Sequence, residues 1–361
     1  MNPAQALHQA GQSLWLDSIN RKLLVSGTLA RYIDTFAVTG LTSNPTILGH
    51  AMTASTDYDE SLRTHLAAGT RDPQDLVYAV ALEDLTAAAD LFRPIYDATE
   101  GVDGFVSVEV PPGLAYDAAG SIALAHRLHE QARRPNLLVK IPGTPPGLTA
   151  LEELVSDGIG INVTLLFSNA HYLQTAEAYL RALERRAAAG QPLDVPSVAS
   201  LFVSRWDKAA DPLLPASLHG RLGLAVTQAV YASYRSLLTN ERWTKLAAKG
   251  ARPQRVLWAS TSTKDPDFPD TYYLGKLAAP DTINTMPEQT LLAFADHGEV
   301  GEMMRPDYAA AQSCIADVAG HGIDVDMLGE SLQRHGARAF EADWASLLDA
   351  IAEKAHRLSK S

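Results

Sequence analysis

A lysine, two carboxylates and two further cations carry the chemistry this chain can do. Lys140 stands in Leu137-Leu138-Val139-Lys140-Ile141-Pro142-Gly143-Thr144, an ammonium inside an otherwise apolar run. The run is short, rich in branched residues and ended by Pro-Gly, so it reads as a buried strand feeding a tight turn. A lysine there either reaches the rim or sits desolvated. Desolvation favours the neutral amine, and a neutral amine attacks a carbonyl. An iminium formed on a ketone withdraws electrons from the neighbouring carbon. Cleaving a C–C bond then needs a base for the β-hydroxyl, and building the iminium needs proton shuttling to expel water. Asp17 and Glu109, in other apolar runs, could divide those tasks. Arg205 and Lys264, with Ser200 nearby, supply what an anionic phosphate requires. The 11 histidines fall mainly in helical or loop segments, on solvated faces, and form no ligand set. No metal is therefore expected.

Positioning such residues takes a scaffold, and the apolar runs suggest one. Strand-like runs occupy 13–17, 36–42, 104–110, 137–141, 160–166, 197–203, 256–259 and 282–285. Helical patterns follow most of them, at 58–66, 75–96, 147–156, 168–189, 218–238 and 241–249. A further pattern at 288–297 opens a helical tail to about 358. Strands alternating with helices imply a parallel sheet with right-handed crossovers, and eight units imply an α/β fold of the (β/α)8 TIM-barrel kind. An open doubly wound sheet would carry a glycine-rich phosphate fingerprint after its first strand. Here that position reads Ser18-Ile19-Asn20-Arg21. The expected organisation is one barrel domain over 1–361, with an N-terminal helical extension at 1–12 and a C-terminal helical decoration at 298–361.

Chemistry in such barrels gathers at the C-terminal ends of the strands. Nearly every run here ends in an acid, amide, hydroxyl or cation. Taken singly, each has a plain reading: Asp17 as a helix cap, Asn44 as a turn former before Pro45, Lys140 as a rim lysine. Eight converging together favour a site, because an unpaired polar atom in an apolar barrel costs roughly 1–3 kcal/mol. Charge and composition narrow the partners. A net charge of −12 argues against nucleic acid or an anionic membrane as the main partner, while leaving room for a phosphorylated small molecule. The single cysteine, Cys314, excludes an intramolecular disulfide, fits a reducing cytoplasm and reads as a packed small residue. Met1-Asn2-Pro3-Ala4-Gln5 shows no basic-plus-apolar leader, so a soluble, cytoplasmic protein is expected.

The motifs Gly40-Leu41-Thr42-Ser43-Asn44-Pro45-Thr46, Val139-Lys140-Ile141-Pro142-Gly143-Thr144 and Gly160-Ile161-Asn162-Val163-Thr164-Leu165-Leu166-Phe167-Ser168 stand in this order. Together they give the chain a resemblance to the transaldolases of the pentose phosphate pathway. The resemblance runs from Ser13-Leu14-Trp15-Leu16-Asp17 to Asn284-Thr285-Met286-Pro287. It implies a cofactor-free enzyme that moves a dihydroxyacetone unit from a ketose phosphate to an aldose phosphate through a Schiff base on Lys140. Asp17 would be the acid/base of the C–C bond step, and Glu109 and Thr164 the pair holding the catalytic water. Asn44 and Asn162 would bind the three-carbon unit. Ser200-Leu201-Phe202-Val203-Ser204-Arg205 is similar to the family's phosphate segment, with Phe202 as its aromatic. Where many relatives carry a second phosphate-binding arginine, this chain reads Ala259-Ser260-Thr261-Ser262-Thr263-Lys264. Lys264 either takes that role as a point charge or is a solvent lysine before Asp265. The alternatives are an aldolase of the same fold that releases free dihydroxyacetone, and a non-catalytic barrel scaffold. The accessory helices offer surfaces for a homodimer.

Overall fold

The computed structural model describes residues 1–43, 45–263 and 265–360, with backbone alone at 45–48 and 50. The chain begins with α1 Pro3–Gln9, β1 Gln12–Leu16, α2 Arg21–Val25, α3 Thr28–Phe36, β2 Val38–Thr42, α4 Pro45–Ala54, α5 Asp59–Ala67 and α6 Pro73–Ala98. It continues with β3 Val106–Glu109, α7 Ala118–Ala132, β4 Leu137–Pro142, α8 Pro145–Ser156, β5 Ile161–Leu166, α9 Asn169–Ala188 and β6 Ser197–Phe202. The last part comprises α10 Ser204–Ala210, α11 Leu222–Leu237, α12 Glu241–Ala247, β7 Arg255–Ala259, α13 Tyr272–Lys276 and β8 Thr282–Met286. Three helices close it: α14 Glu288–His297, α15 Tyr308–Ala319 and α16 Val325–Leu358. All eight strands are parallel, each pairs with its sequence neighbours, and β8 returns to β1. This is the (β/α)8 barrel that the alternation predicts.

A strand projects successive side chains to opposite faces, and in a barrel both faces are buried, which is why these strands read as near-continuous apolar runs. Val139 and Ile141 belong to the large outer core beneath the helices, with Val106, Val108, Ile161 and Val163. Leu138 belongs to a second cluster with Trp15, Phe105, Val198, Leu257 and Ile283. That cluster fills the barrel interior, where side chains of non-adjacent strands meet: Asn162 on β5 reaches Ser107 on β3. Lys140 shares the face of Leu138 and so points inward. The register sets Glu109 level with Lys140, and Lys140 level with Asn162.

Some boundaries move, each for a local reason. Phe36 ends α3 instead of opening β2, because Ala37 (φ 54°) takes a left-handed cap. β3 starts only at Val106. Gly104 (φ +83°) lies where a Cβ would stand 2.4 Å from the Tyr96 backbone nitrogen, so only glycine fits the close approach. A helix the sequence pattern did not reveal, α7, follows β3 and is capped by the Asp117 side chain accepting from the Gly120 N–H. The helical tail consists of three helices, α14, α15 and α16. Between α14 and α15 the chain leaves helix to bond α13 and the loop after it, Gly301 N–H to the Gly275 carbonyl and Met304 N–H to that of Ala278.

The longest helix, α16, packs against α4, α5, α6, α10 and the end of β5, across the C-terminal mouth of the barrel. Buried Lys354 fixes one end by donating to the carbonyls of Met52 and Ser55 beside Asp59. Glu330, nearer the start, pairs with His171 at 3.0 Å. His171 departs from the expectation of a solvated face: it is buried, and its Nδ1 accepts from the Phe167 N–H. Accepting at Nδ1 leaves Nε2–H to donate to Glu330.

Candidate active site

Lys140 is 8 % exposed and is not a rim lysine. Its Nζ donates to Glu109 Oε2 at 2.9 Å and to the Ser43 carbonyl at 3.4 Å. The contact with Glu109 follows from the level register of β3 and β4. Burial pushes the Glu109 carboxyl above its ordinary pKa; the Lys140 charge pulls the other way, and the Asp17 charge adds to the rise. Net, Glu109 is a carboxyl that holds a proton more readily than one in water. Tyr78 donates to its backbone carbonyl at 3.0 Å, fixing the strand end.

Asp17 follows β1. It accepts from Thr42 Oγ1 at 2.8 Å, and Thr42 Oγ1 lies 2.9 Å from Thr285 Oγ1. Since the Thr42 proton goes to Asp17, Thr285 is the donor to Thr42. The Asp17 N–H also donates to the Met286 carbonyl at 2.8 Å, so β2 and β8 together orient this carboxylate.

Asn162 is wholly buried between two hydroxyls. Ser200 donates to its Oδ1 at 2.7 Å, and its Nδ2 donates to Ser107 Oγ at 3.1 Å. One N–H of that amide has no partner among the described residues. Two residues on, Thr164 Oγ1 is also buried without a partner among the described residues. A buried hydroxyl left unbonded costs roughly 1–3 kcal/mol, so it is a ready contact for a water or a substrate oxygen. Past Thr164 the strand is irregular: its register with β6 breaks between Val163 and Leu166, and Leu165 has φ 59°.

At the mouth, Arg205 rises from the first turn of α10. Its guanidinium lies 5.0 Å from the Phe202 ring centre and 5.6 Å from that of Phe340 on α16. Burial lowers its pKa from the usual arginine value, and among the described residues no carboxylate pairs with it. Beside it the hydroxyls of Ser204 and Ser260 stand 3.0 Å apart. A half-buried cation stacked on aromatic rings, with its donors unclaimed among the described residues, is suited to a bidentate anion such as phosphate.

The profile of the Transaldolase/Fructose-6-phosphate aldolase family matches residues 14–351. The chain is 44 % identical to a transaldolase of Frankia alni over 99 % of its length and 98 % of that protein's. Identity to transaldolases of Acidothermus cellulolyticus and Thermobifida fusca is 44 % and 42 %, again over 98 % or more of both chains. The chain belongs to the transaldolase/fructose-6-phosphate aldolase family. It is an enzyme of the transaldolase type.

Among the residues that the transaldolase resemblance singles out, Lys140 and Glu109 are in direct contact, and Asn162 and Thr164 share their inward face. Ser200 enters this group through Asn162 and makes no hydrogen bond to Arg205; its hydroxyl is spent on the amide. Phe202 and Arg205 form the separate stack at the mouth. Asn44 and Lys264 lie outside the described residues. Sequence reasoning passed over Thr42, Thr285 and Ser107, although the alternation rule puts Ser107 on the face of Glu109. It had no signal for the α16 side chains, which come from the far end of the chain: Gln333, Phe340 and Trp344, the last stacked on Tyr78 at 5.7 Å. Among the described residues no helix is long and apolar enough to cross a membrane.

Proposed function

We propose that this transaldolase works through a Schiff base on Lys140, with fructose 6-phosphate or sedoheptulose 7-phosphate as donor and glyceraldehyde 3-phosphate or erythrose 4-phosphate as acceptor. The observation that carries the reading is the buried Lys140–Glu109 contact at 2.9 Å. Lys140 gives a proton to Glu109, whose raised pKa suits it to hold one, and the free amine attacks C2 of the ketose. Glu109 returns the proton through a water held by Thr164, water leaves, and the iminium forms. Asp17 then takes the proton of the C4 hydroxyl. The C3–C4 bond breaks, its electrons pass into the iminium, and the aldose phosphate departs. The enamine left on Lys140 keeps its three-carbon unit against Asn162. Its C3 attacks the aldehyde carbon of the acceptor while Asp17 gives its proton to the new hydroxyl. Hydrolysis of the resulting iminium frees Lys140. Arg205 binds the substrate phosphate, and the two carboxylates stabilise the iminium charge.

Borohydride reduction in the presence of fructose 6-phosphate is expected to leave a three-carbon adduct on the peptide containing Lys140. An adduct elsewhere, or none, ends the mechanism. Asp17→Ala is expected to trap the intact six-carbon donor instead, and to turn over about 10²–10⁴-fold more slowly. Release of dihydroxyacetone as fast as its transfer to erythrose 4-phosphate would favour the aldolase alternative.

A further inference from the structure

Five residues of α16, Gly329, Gln333, Gly336, Phe340 and Trp344, recur at intervals of three and four and so form one stripe along the helix. The stripe faces the barrel mouth. A Cβ at Gly336 would stand 3.0 Å from Leu165 Cδ2 and 3.3 Å from Arg205 Nη1, and one at Gly329 would stand 3.1 Å from the Trp206 ring. Glycine at these two points lets the helix lie close against the site. Between them sits Gln333, only 4 % exposed. Its Nε2 donates one N–H to the Gly143 carbonyl at 3.1 Å and the other to the Leu165 carbonyl at 3.0 Å.

Those two carbonyls lie next to the chemistry. Gly143 is three residues past Lys140 on the segment leaving β4, and Leu165 directly follows Thr164 on β5. Leu165 holds a left-handed backbone, which costs a residue with a Cβ roughly 1–2 kcal/mol, at the point where pairing with β6 is interrupted. Such a conformation persists only where its surroundings hold it. The Gly143 N–H bonds the Thr164 carbonyl at 2.7 Å, so the same two segments are also tied directly. Gln333 closes this arrangement from outside the barrel.

We propose that Gln333 is a positioning residue: by bridging the ends of β4 and β5 it fixes the Thr164 hydroxyl relative to Lys140, and so sets the rate of iminium formation. The inference rests on the Schiff-base reading above. It assigns to the C-terminal helix a part in the reaction in addition to covering the site. Gln333 itself touches no reacting atom. Glu330, three residues before it on α16 and paired with His171, and Arg205, which lies beside Gly336, are the same in every variant below.

The test is the rate of borohydride-trappable adduct formation with fructose 6-phosphate, measured in a single turnover on the full chain. Gln333→Met keeps the length and loses both donors. It is expected to slow trapping about 10–100-fold, as misplacement of a reacting group does, with KM changed less than about 3-fold. A second variant, Gln333→Glu, regains one donor when its carboxyl is protonated. Its trapping rate relative to the unaltered protein is expected to rise as pH falls, whereas that of Gln333→Met stays flat. Trapping by Gln333→Met at the unaltered rate, with only thermal stability lowered, would overturn the positioning role and leave the Schiff-base mechanism standing. A Gln333→Glu ratio that does not move with pH would also overturn it. Absence of trapping in the unaltered protein would remove both.

Discussion

Two ion pairs of similar burial sit at opposite ends of this barrel and are built differently. At the N-terminal end Arg255 faces Asp103 with side chains 10 % and 6 % exposed; at the C-terminal end Lys140 faces Glu109 with 10 % and 9 %. Asp103 is saturated. It accepts from the Ser13 hydroxyl, from Trp15 Nε1 at 2.9 Å and from the Gly104 N–H at 2.9 Å. Arg255 donates to Ser13 Oγ at 2.7 Å and to the Thr282 carbonyl at 2.9 Å. Glu109 accepts from Lys140 and, among the described residues, no other side chain. The Thr164 hydroxyl, on the same inward face, is unclaimed among the described residues. Buried charge is tolerated when fully hydrogen-bonded; left with open valence, it is ready to exchange a proton or meet a substrate. On the proposed mechanism the lower end serves stability and the upper end serves chemistry.

Crossed substitutions break this contrast most sharply. Arg255→Met strands the buried Asp103 and is expected to cost about 3–5 kcal/mol in urea unfolding, while the folded fraction keeps its turnover number. Glu109→Gln is expected to do the reverse, changing stability by less than about 1.5 kcal/mol while iminium trapping falls about 10²–10⁴-fold. If both variants lost stability and rate in equal measure, the division of labour between the two ends would be wrong. A smaller effect is expected at the mouth. Arg205→Met should raise KM for phosphorylated donors about 10–100-fold, the worth of a hydrogen bond to a charged group, and leave KM for free dihydroxyacetone or other unphosphorylated ketoses little changed. An equal loss with both kinds of donor would remove the phosphate role.

The smallest effect sharpens the contrast outside the barrel. Asp207 on α10 accepts from the Gly223 N–H at 2.9 Å and from the Tyr273 hydroxyl at 2.7 Å, yet burial still pushes its pKa up to about 6. A carboxyl whose folded pKa exceeds the unfolded value stabilises the fold fully at pH below the unfolded value. It loses that contribution as pH rises through the folded one. The unaltered protein should therefore lose on the order of 2 kcal/mol between about pH 4 and pH 6 relative to Asp207→Asn. Urea midpoints of the two proteins across that range check it, and parallel profiles would show that Asp207 is paired as fully as Asp103.

The barrel was legible because its signal is local. A strand buried on both faces announces itself as a short apolar run, and all eight were found within a few residues of their observed bounds. Lys140 and Glu109 stood out because a charge inside such a run needs a reason. What escaped was set by single backbone choices or by distant partners. Ala37 in a left-handed cap moved the start of β2, and loop hydrogen bonds to Gly275 and Ala278 divided the tail. Helix α7 was hidden because it carries Gly120 in its first turn and buries only a narrow stripe along its 15 residues. His171 looked solvated because the partner of its Nε2, Glu330, comes from α16, far along the chain.

By itself, the sequence determined the class of fold, the order of its strands and the inward-facing lysine and carboxylates. Period and residue type are properties of a few adjacent residues, and a parallel barrel converts them directly into positions. Only the tertiary structure decided which charges are saturated and which stay open, and that α16 lies across the mouth. The bonds from Gln333 join residues 190 and 168 positions apart. Contacts of that range depend on how whole helices pack, and no local pattern encodes them.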